Sequence, residues 1–116
     1  MSIVTLTAQS EIAINDLTMK KTKISAHGAR IEAEGRITAE TANTFATVLE
    51  DLVDSDHDHI ILNMFNVTLI TSVGIRAILK TYKKLAIKDG KFQIEMPSQA
   101  VRNVLGLSAL EQMLVE

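Results

Sequence analysis

An α/β domain is predicted, with a mixed, mostly parallel sheet of four to five strands and helices packed on it. Three observations predict it. Along the chain the apolar residues switch between the two-residue period of strands and the 3.6-residue period of helices. The resulting order is strand, strand, helix, strand, helix, strand, helix, and such alternation needs crossovers that make neighbouring strands parallel. The first two strands are joined by a tight turn, so they run antiparallel and the sheet is mixed. The length of 116 residues fits one domain. With 47% hydrophobic and 22% charged residues, the chain has enough apolar matter for one core without cross-links. Aromatic residues are only 3%, so Leu, Ile, Val, Ala and Met must fill that core.

Residues 1–20 carry the weakest pattern. They are set apart as an N-terminal extension that holds a candidate extra strand at 3–6 or 12–14, and residues 21–116 form the main domain. Residues 21–26 and 29–35 flank His27-Gly28, and Ile31 and Ala33 alternate with Glu32 and Glu34, which reads as a hairpin. Thr38 is the expected N-cap of the first helix, with Glu40 in its first turn. Ala42, Phe45, Ala46, Leu49, Leu52 and Val53 make its apolar face, and the polar run 54–58 ends it. Residues 59–64 follow as a strand, and the run Ile60-Ile61-Leu62 suits one buried on both faces. Residues 66–70 read as a connection. A second helix is expected from about Val73, with Ile75, Ile78, Leu79, Tyr82, Leu85 and Ala86 inward and a stop at Asp89-Gly90. Residues 91–96 read as a strand. Pro97-Ser98 opens a short helix that Gly106 stops, Ser108 and Glu111 fit a capping box, and 113–115 make a last strand or turn.

Charge and composition exclude several functions. Twelve Lys and Arg against 14 Asp and Glu give a formal charge of −2, which argues against a binder of nucleic-acid phosphates. The absence of cysteine removes disulfides, thiolate zinc sites and thiol nucleophiles, and fits the cytoplasm. No apolar run approaches the ~18 residues of a membrane span, and the first ten residues lack the basic and apolar regions of a signal peptide.

The sharpest local feature is Thr71-Ser72-Val73-Gly74 at the opening of the second helix. Read structurally, Ser72 caps the helix and Gly74 permits close packing. Read functionally, a serine at a positive helix end is also a workable phosphorylation site. Arg76, Lys80, Lys83, Lys84 and Lys88 lie opposite the apolar stripe of that helix, as a solvated face or as a docking face for an acidic partner. The run Asp56-His57-Asp58-His59 reads as a solvated loop, because alternate side chains of an extended segment diverge. No catalytic triad, nucleophile elbow or glycine-rich phosphate loop is present, so neither an enzyme nor a metal or cofactor protein is expected.

Residues 59–85 read HIILNMFNVTLITSVGIRAILKTYKKL. This segment resembles the STAS domain, and within it the small stand-alone anti-sigma factor antagonists of bacteria. The resemblance extends over residues 21–116 and includes the Gly35-Arg36-Ile37-Thr38 approach to the first helix, the serine turn, and the Ser108-Ala109-Leu110 segment. It implies partner switching. The unmodified antagonist binds an anti-sigma factor that is also a GHKL-type serine kinase. That kinase, with ATP and magnesium, phosphorylates one serine and is released, and a PP2C-type phosphatase reverses the step. The matching serine is Ser72. Thr38, Thr71, Val73, Gly74 and Arg76 would frame the docking surface, with Lys80 and Lys83 as outlying electrostatic contacts. Together with the charge and composition, it leads to the expectation of a cytoplasmic binding module without a cofactor, a monomer or weak dimer, with no nucleic-acid or membrane partner. Three positions depart from the family pattern: Thr71 and Thr38 stand where Asp is frequent, and Arg76 stands where a small residue is frequent. Other readings are an unphosphorylated scaffold subunit of a signalling complex, a partner switch with an output other than a sigma factor, and a small-ligand domain.

Overall fold

The computed structural model describes residues 4–6, 9–108 and 114–115, with side chains for residues 11–104. Its elements are β1 (Val4–Leu6), β2 (Gln9–Ile14), β3 (Leu17–Ser25), β4 (Gly28–Ile37), α1 (Ala42–Asp54), β5 (His59–Ile70), α2 (Ser72–Ile87), β6 (Lys91–Glu95), α3 (Gln99–Ser108) and β7 (Leu114–Val115). The strands form one sheet in chain order, β1 to β7. Neighbours from β1 to β4 are antiparallel, and neighbours from β4 to β7 are parallel. The sheet is mixed, as expected, and the four to five expected strands are β3 to β7. The N-terminal residues add β1 and β2, which makes the antiparallel half as large as the parallel one. The β3 strand begins at Leu17, so the hairpin reaches back across residue 20.

One face of the sheet carries the core. Leu17 and Met19, Ala29, Ile31 and Ala33, Ile60, Leu62 and Met64, and Phe92 and Ile94 alternate inward from β3 to β6. They join the buried residues of all three helices in one cluster. Phe45, Leu49, Ile78 and Leu85 are fully enclosed. Among the described residues no helix covers the other, polar face, so the expectation that 59–64 is buried on both faces fails at Ile61, which is half-buried. Gly35 sits at the second register shift between β4 and β5. Its φ is +113°, and a Cβ there would lie 1.9 Å from the carbonyl oxygen of Asp16, so only glycine fits.

Three further regions differ from the sequence expectation. Residues 66–70 are not a connection but the second half of β5. Two register shifts against β4 change the burial spacing from every second residue to every third, at Met64, Val67 and Ile70, and this erases the alternation that marks a strand. Gly106 does not stop α3, which continues to Ser108. The third difference, at the openings of α1 and α2, falls in the functional region. Ser98 does open α3: its hydroxyl accepts the Val101 N–H at 3.2 Å and donates to the Val67 carbonyl at 2.5 Å. The Glu111 half of the expected capping box lies outside the described residues.

Candidate functional site at the opening of the second helix

The parallel strands β4 and β5 end side by side, with Ile37 opposite Ile70. Beyond them the chain enters the turn before α1 at Thr38 and enters α2 at Thr71. The Thr71 N–H donates to the Ile37 carbonyl at 3.0 Å and stitches the two exits together. The carboxyl end of parallel strands is where open α/β sheets meet their ligands, because the helices that follow leave free N–H groups there.

Thr38 is not the N-cap of α1. It opens a turn that runs to Thr41, and the helix starts at Ala42. Its hydroxyl accepts the Glu40 N–H at 3.2 Å, and its own N–H donates to the Thr41 hydroxyl at 2.8 Å. The Thr41 hydroxyl in turn donates to the Arg36 carbonyl at 2.8 Å. Thr41 is thus spent on tying the turn to the end of β4, and Glu40 falls outside the first turn of α1.

Ser72 is not a cap either. The N-cap position belongs to Thr71, whose backbone is extended at φ −95° and ψ 173° and whose side chain makes no capping bond. The bond to Ile37 holds residue 71 in the sheet geometry, so helical geometry begins one residue later, at Ser72. The first intrahelical bond, from the Ile75 N–H to the Thr71 carbonyl, measures 3.1 Å. Ser72 is exposed on the first turn, at the positive end of the helix dipole. Val73 beside it is exposed, while Gly74 is buried against both strand ends. The Thr71 hydroxyl is buried and has no hydrogen-bond partner among the described residues.

Arg76 lies one helical turn beyond Ser72, exposed and without an ion pair among the described residues. The basic face divides at this point. Lys80 bonds Glu50 of α1 at 2.8 Å, Lys84 lies 3.9 Å from Glu50 and 3.8 Å from Asp54, and Lys88 donates to the Val53 carbonyl at 2.6 Å. These three lysines clamp α1 to α2. The hydrogen bond from Lys80 holds the Glu50 carboxyl below its usual range, and Glu50 raises Lys80 in return. Arg76 and Lys83 are left facing solvent. The sequence held this signal unread: Glu50 and Asp54 are four apart on α1, as Lys80 and Lys84 are on α2.

The Asp-His run is split. His57 Nδ1 sits 3.1 Å from the Leu52 carbonyl oxygen, closing the end of α1, and His59 Nε2 lies 3.0 Å from Gln93 Oε1 on the sheet. His27 Nδ1 is 3.3 Å from Asp56 Oδ2. Among the described residues no three His, Asp or Glu side chains converge as metal ligands would. None of the described helices is long and apolar enough to cross a membrane.

The comparisons agree with this architecture. The unphosphorylated form of the anti-sigma factor antagonist SpoIIAA has a TM-score of 0.76 at 17% identity, over 84% of this chain and 85% of that one. The phosphorylated form of the Bacillus cell fate determinant SpoIIAA gives 0.71 at 16% identity, over 84% and 88%. An anti-sigma factor antagonist from Mycobacterium paratuberculosis gives 0.73 at 20% identity, over 84% and 82%. At these identities the likeness establishes the fold. No curated protein matches the chain. The STAS domain, by contrast, matches residues 20–115. The chain therefore belongs to the STAS domain family.

Proposed function

We propose that the chain is a binding module of the anti-sigma factor antagonist kind, switched by phosphorylation of Ser72. Unmodified, it docks on an anti-sigma factor that is also a GHKL-type serine kinase. Transfer of the ATP γ-phosphoryl group to the Ser72 oxygen releases it, and a PP2C-type phosphatase restores it. The observation that carries this reading is the exposure of Ser72 on the first turn of α2, one residue past the N-cap position, which Thr71 occupies. The similar SpoIIAA structures, described as unphosphorylated and phosphorylated forms of an anti-sigma factor antagonist, support it.

The physics of the switch is electrostatic. Phosphorylation adds about −1.5 to −2 charges. The free N–H groups at the start of α2 tolerate that charge within the molecule, whereas a partner seated on Ser72, Val73 and Thr38 would have to desolvate it. A penalty of about 3 kcal/mol lowers affinity more than 100-fold. Arg76 and Lys83 supply the long-range attraction to an acidic partner, and Lys80 contributes only at the edge, because Glu50 occupies it. Residues 21–116 make up the module in this reading, with 1–20 as an extension.

The test is incubation with the candidate kinase, ATP and magnesium, followed by intact mass and peptide mapping. One phosphate on Ser72, absent from Ser72→Ala, is expected. Ser72→Ala should keep the kinase bound, and Ser72→Glu should weaken it at least tenfold. Phosphate on another residue, or Ser72→Glu binding like the native chain, overturns the reading. A second reading, an unphosphorylated scaffold subunit, is favoured by one observation: no carboxylate stands at positions 38 or 71 beside Ser72. A chain that stays unmodified in the same assay selects it.

A further inference from the structure

The polar face of the sheet holds a cleft of about 320 Å³, lined by Glu11 of β2, Lys20 of β3, Glu32 and Glu34 of β4, and Phe65 and Met96 at the far end. No residue framing Ser72 lines it, so it lies outside the site described above. Its charge is one-sided. In the cross-strand register Lys20 stands between Glu11 and Glu32, and Glu34 follows two residues along β4. Three carboxylates thus oppose one ammonium, and none of the four has an ion pair among the described residues. Their neighbours on the same face are satisfied: Arg30 Nε and Nη2 each donate to Glu95 at 3.0 Å.

The apolar end of the cleft is held outward. At the first register shift of β5, Met64 and Phe65 together oppose Ala33, and a bulge of this kind re-aims a side chain. Phe65 is left 58% exposed. Its N–H donates to Asn63 Oδ1 at 3.1 Å, and Asn63 Nδ2 donates to Glu95 Oε1 at 3.2 Å, so the bulge hangs from the Arg30–Glu95 pair. Met96 is 50% exposed and sits in the left-handed region at φ 47°, an unfavourable backbone for a side chain of its shape. Two large apolar side chains are thus presented to solvent beside carboxylates that have no ion pair among the described residues.

We infer that this cleft is a second docking surface, for a partner segment that carries Lys or Arg on either side of an apolar residue. The carboxylates take the cations, and the Phe65 ring with Met96 takes the apolar side chain. A second copy does not fit face to face, since it would set carboxylates against carboxylates. The surface goes beyond the Ser72 switch and works in either phosphorylation state.

The test uses the full chain and amide-resolved NMR titration with a short capped peptide alternating lysine and leucine, against its glutamate-leucine counterpart. Shifts should cluster at Lys20, Glu32, Glu34 and Phe65 with the basic peptide only. The double variant Glu32→Lys, Glu34→Lys should weaken binding about tenfold or more, Phe65→Ser about threefold, and Ser72→Glu not at all. All the altered side chains are exposed, and unchanged spectra elsewhere report the intact fold. The proposal is overturned if shifts spread over every acidic surface, if the acidic peptide binds equally, if the variants bind like the native chain, or if the same signals move with protein concentration alone. Since no kinase enters the experiment, its failure leaves the Ser72 reading where it stands.

Discussion

Gly74 is pressed against Ile37: a Cβ added to the glycine would stand 2.8 Å from the Ile37 Cγ2 atom, and 2.9 Å from Ile70 Cγ1. These are branch atoms near two strand ends, with little freedom to yield. Alanine at 74 would gain up to about 1 kcal/mol of helix propensity, but overpacking at a rigid site costs about 1–3 kcal/mol. We therefore expect Gly74→Ala to lower stability by about 1 kcal/mol and Tm by roughly 3–6 °C. It should also push α2 away from the end of β4, and on the proposed function that weakens docking of the kinase without touching Ser72. Calorimetry checks the first effect, and a gain in Tm would mean that the strand ends repack freely.

The two serines that open helices should behave oppositely. Ser72 is exposed and is not the N-cap of α2, which is Thr71, so Ser72→Ala should change stability by less than about 0.5 kcal/mol, as surface substitutions do. Ser98 accepts from Val101 and donates to Val67, so Ser98→Ala loses a cap and leaves a carbonyl unpaired, at about 1–3 kcal/mol. Urea denaturation of the two variants side by side decides it, and equal losses would contradict the assignment of the caps.

That contrast shows where the sequence could be read and where it could not. The helices were legible because Phe45, Leu49, Ile78 and Leu85 recur at helical spacing and all reach the core. The sheet core was legible in β4, where Ile31 and Ala33 alternate with glutamates. The second half of β5 was not, because each bulge adds a residue and restarts the alternation. Helix openings were misplaced by bonds back to the end of β4 that the apolar pattern does not record. Thr41 turns back to Arg36, and the Thr71 N–H crosses to Ile37, a strand that lies 34 positions away in the chain. Ser72, as a serine opening a helix after a buried strand, was visible from its neighbours, and its place one residue past the N-cap was not.

The Arg30–Glu95 pair sets an acid limit on the open face. The hydrogen bonds from Arg30, reinforced by the one from Asn63, hold the Glu95 carboxyl below the usual carboxylate range. A lowered folded-state pKa means that the stabilisation is complete above the unfolded value near 4.3 and is lost as the pH falls through the folded one. Stability of the native chain should therefore be flat with respect to this group from pH 7 to about 5, and should fall below about pH 4. Glu95→Gln should be less stable than the native chain at pH 7, with the gap closing toward pH 3. Denaturation midpoints at several pH values measure the gap, and a gap that widens on acidification would have the sign wrong.

Two threonines near the site offer a paired test of what their hydroxyls are for. Thr41 is fully buried, and its hydroxyl both accepts from the Thr38 N–H and donates to the Arg36 carbonyl. Thr41→Val keeps the shape and leaves both groups unpaired, which should cost about 2–4 kcal/mol. The Thr71 hydroxyl is buried with no partner among the described residues. Thr71→Val removes an unsatisfied polar atom, and should be neutral or stabilising by about 1 kcal/mol. If Thr71→Val is more stable and also binds the proposed kinase partner less well, the hydroxyl is retained for docking at the cost of stability. A loss of stability like that of Thr41→Val would show that Thr71 bonds within the fold.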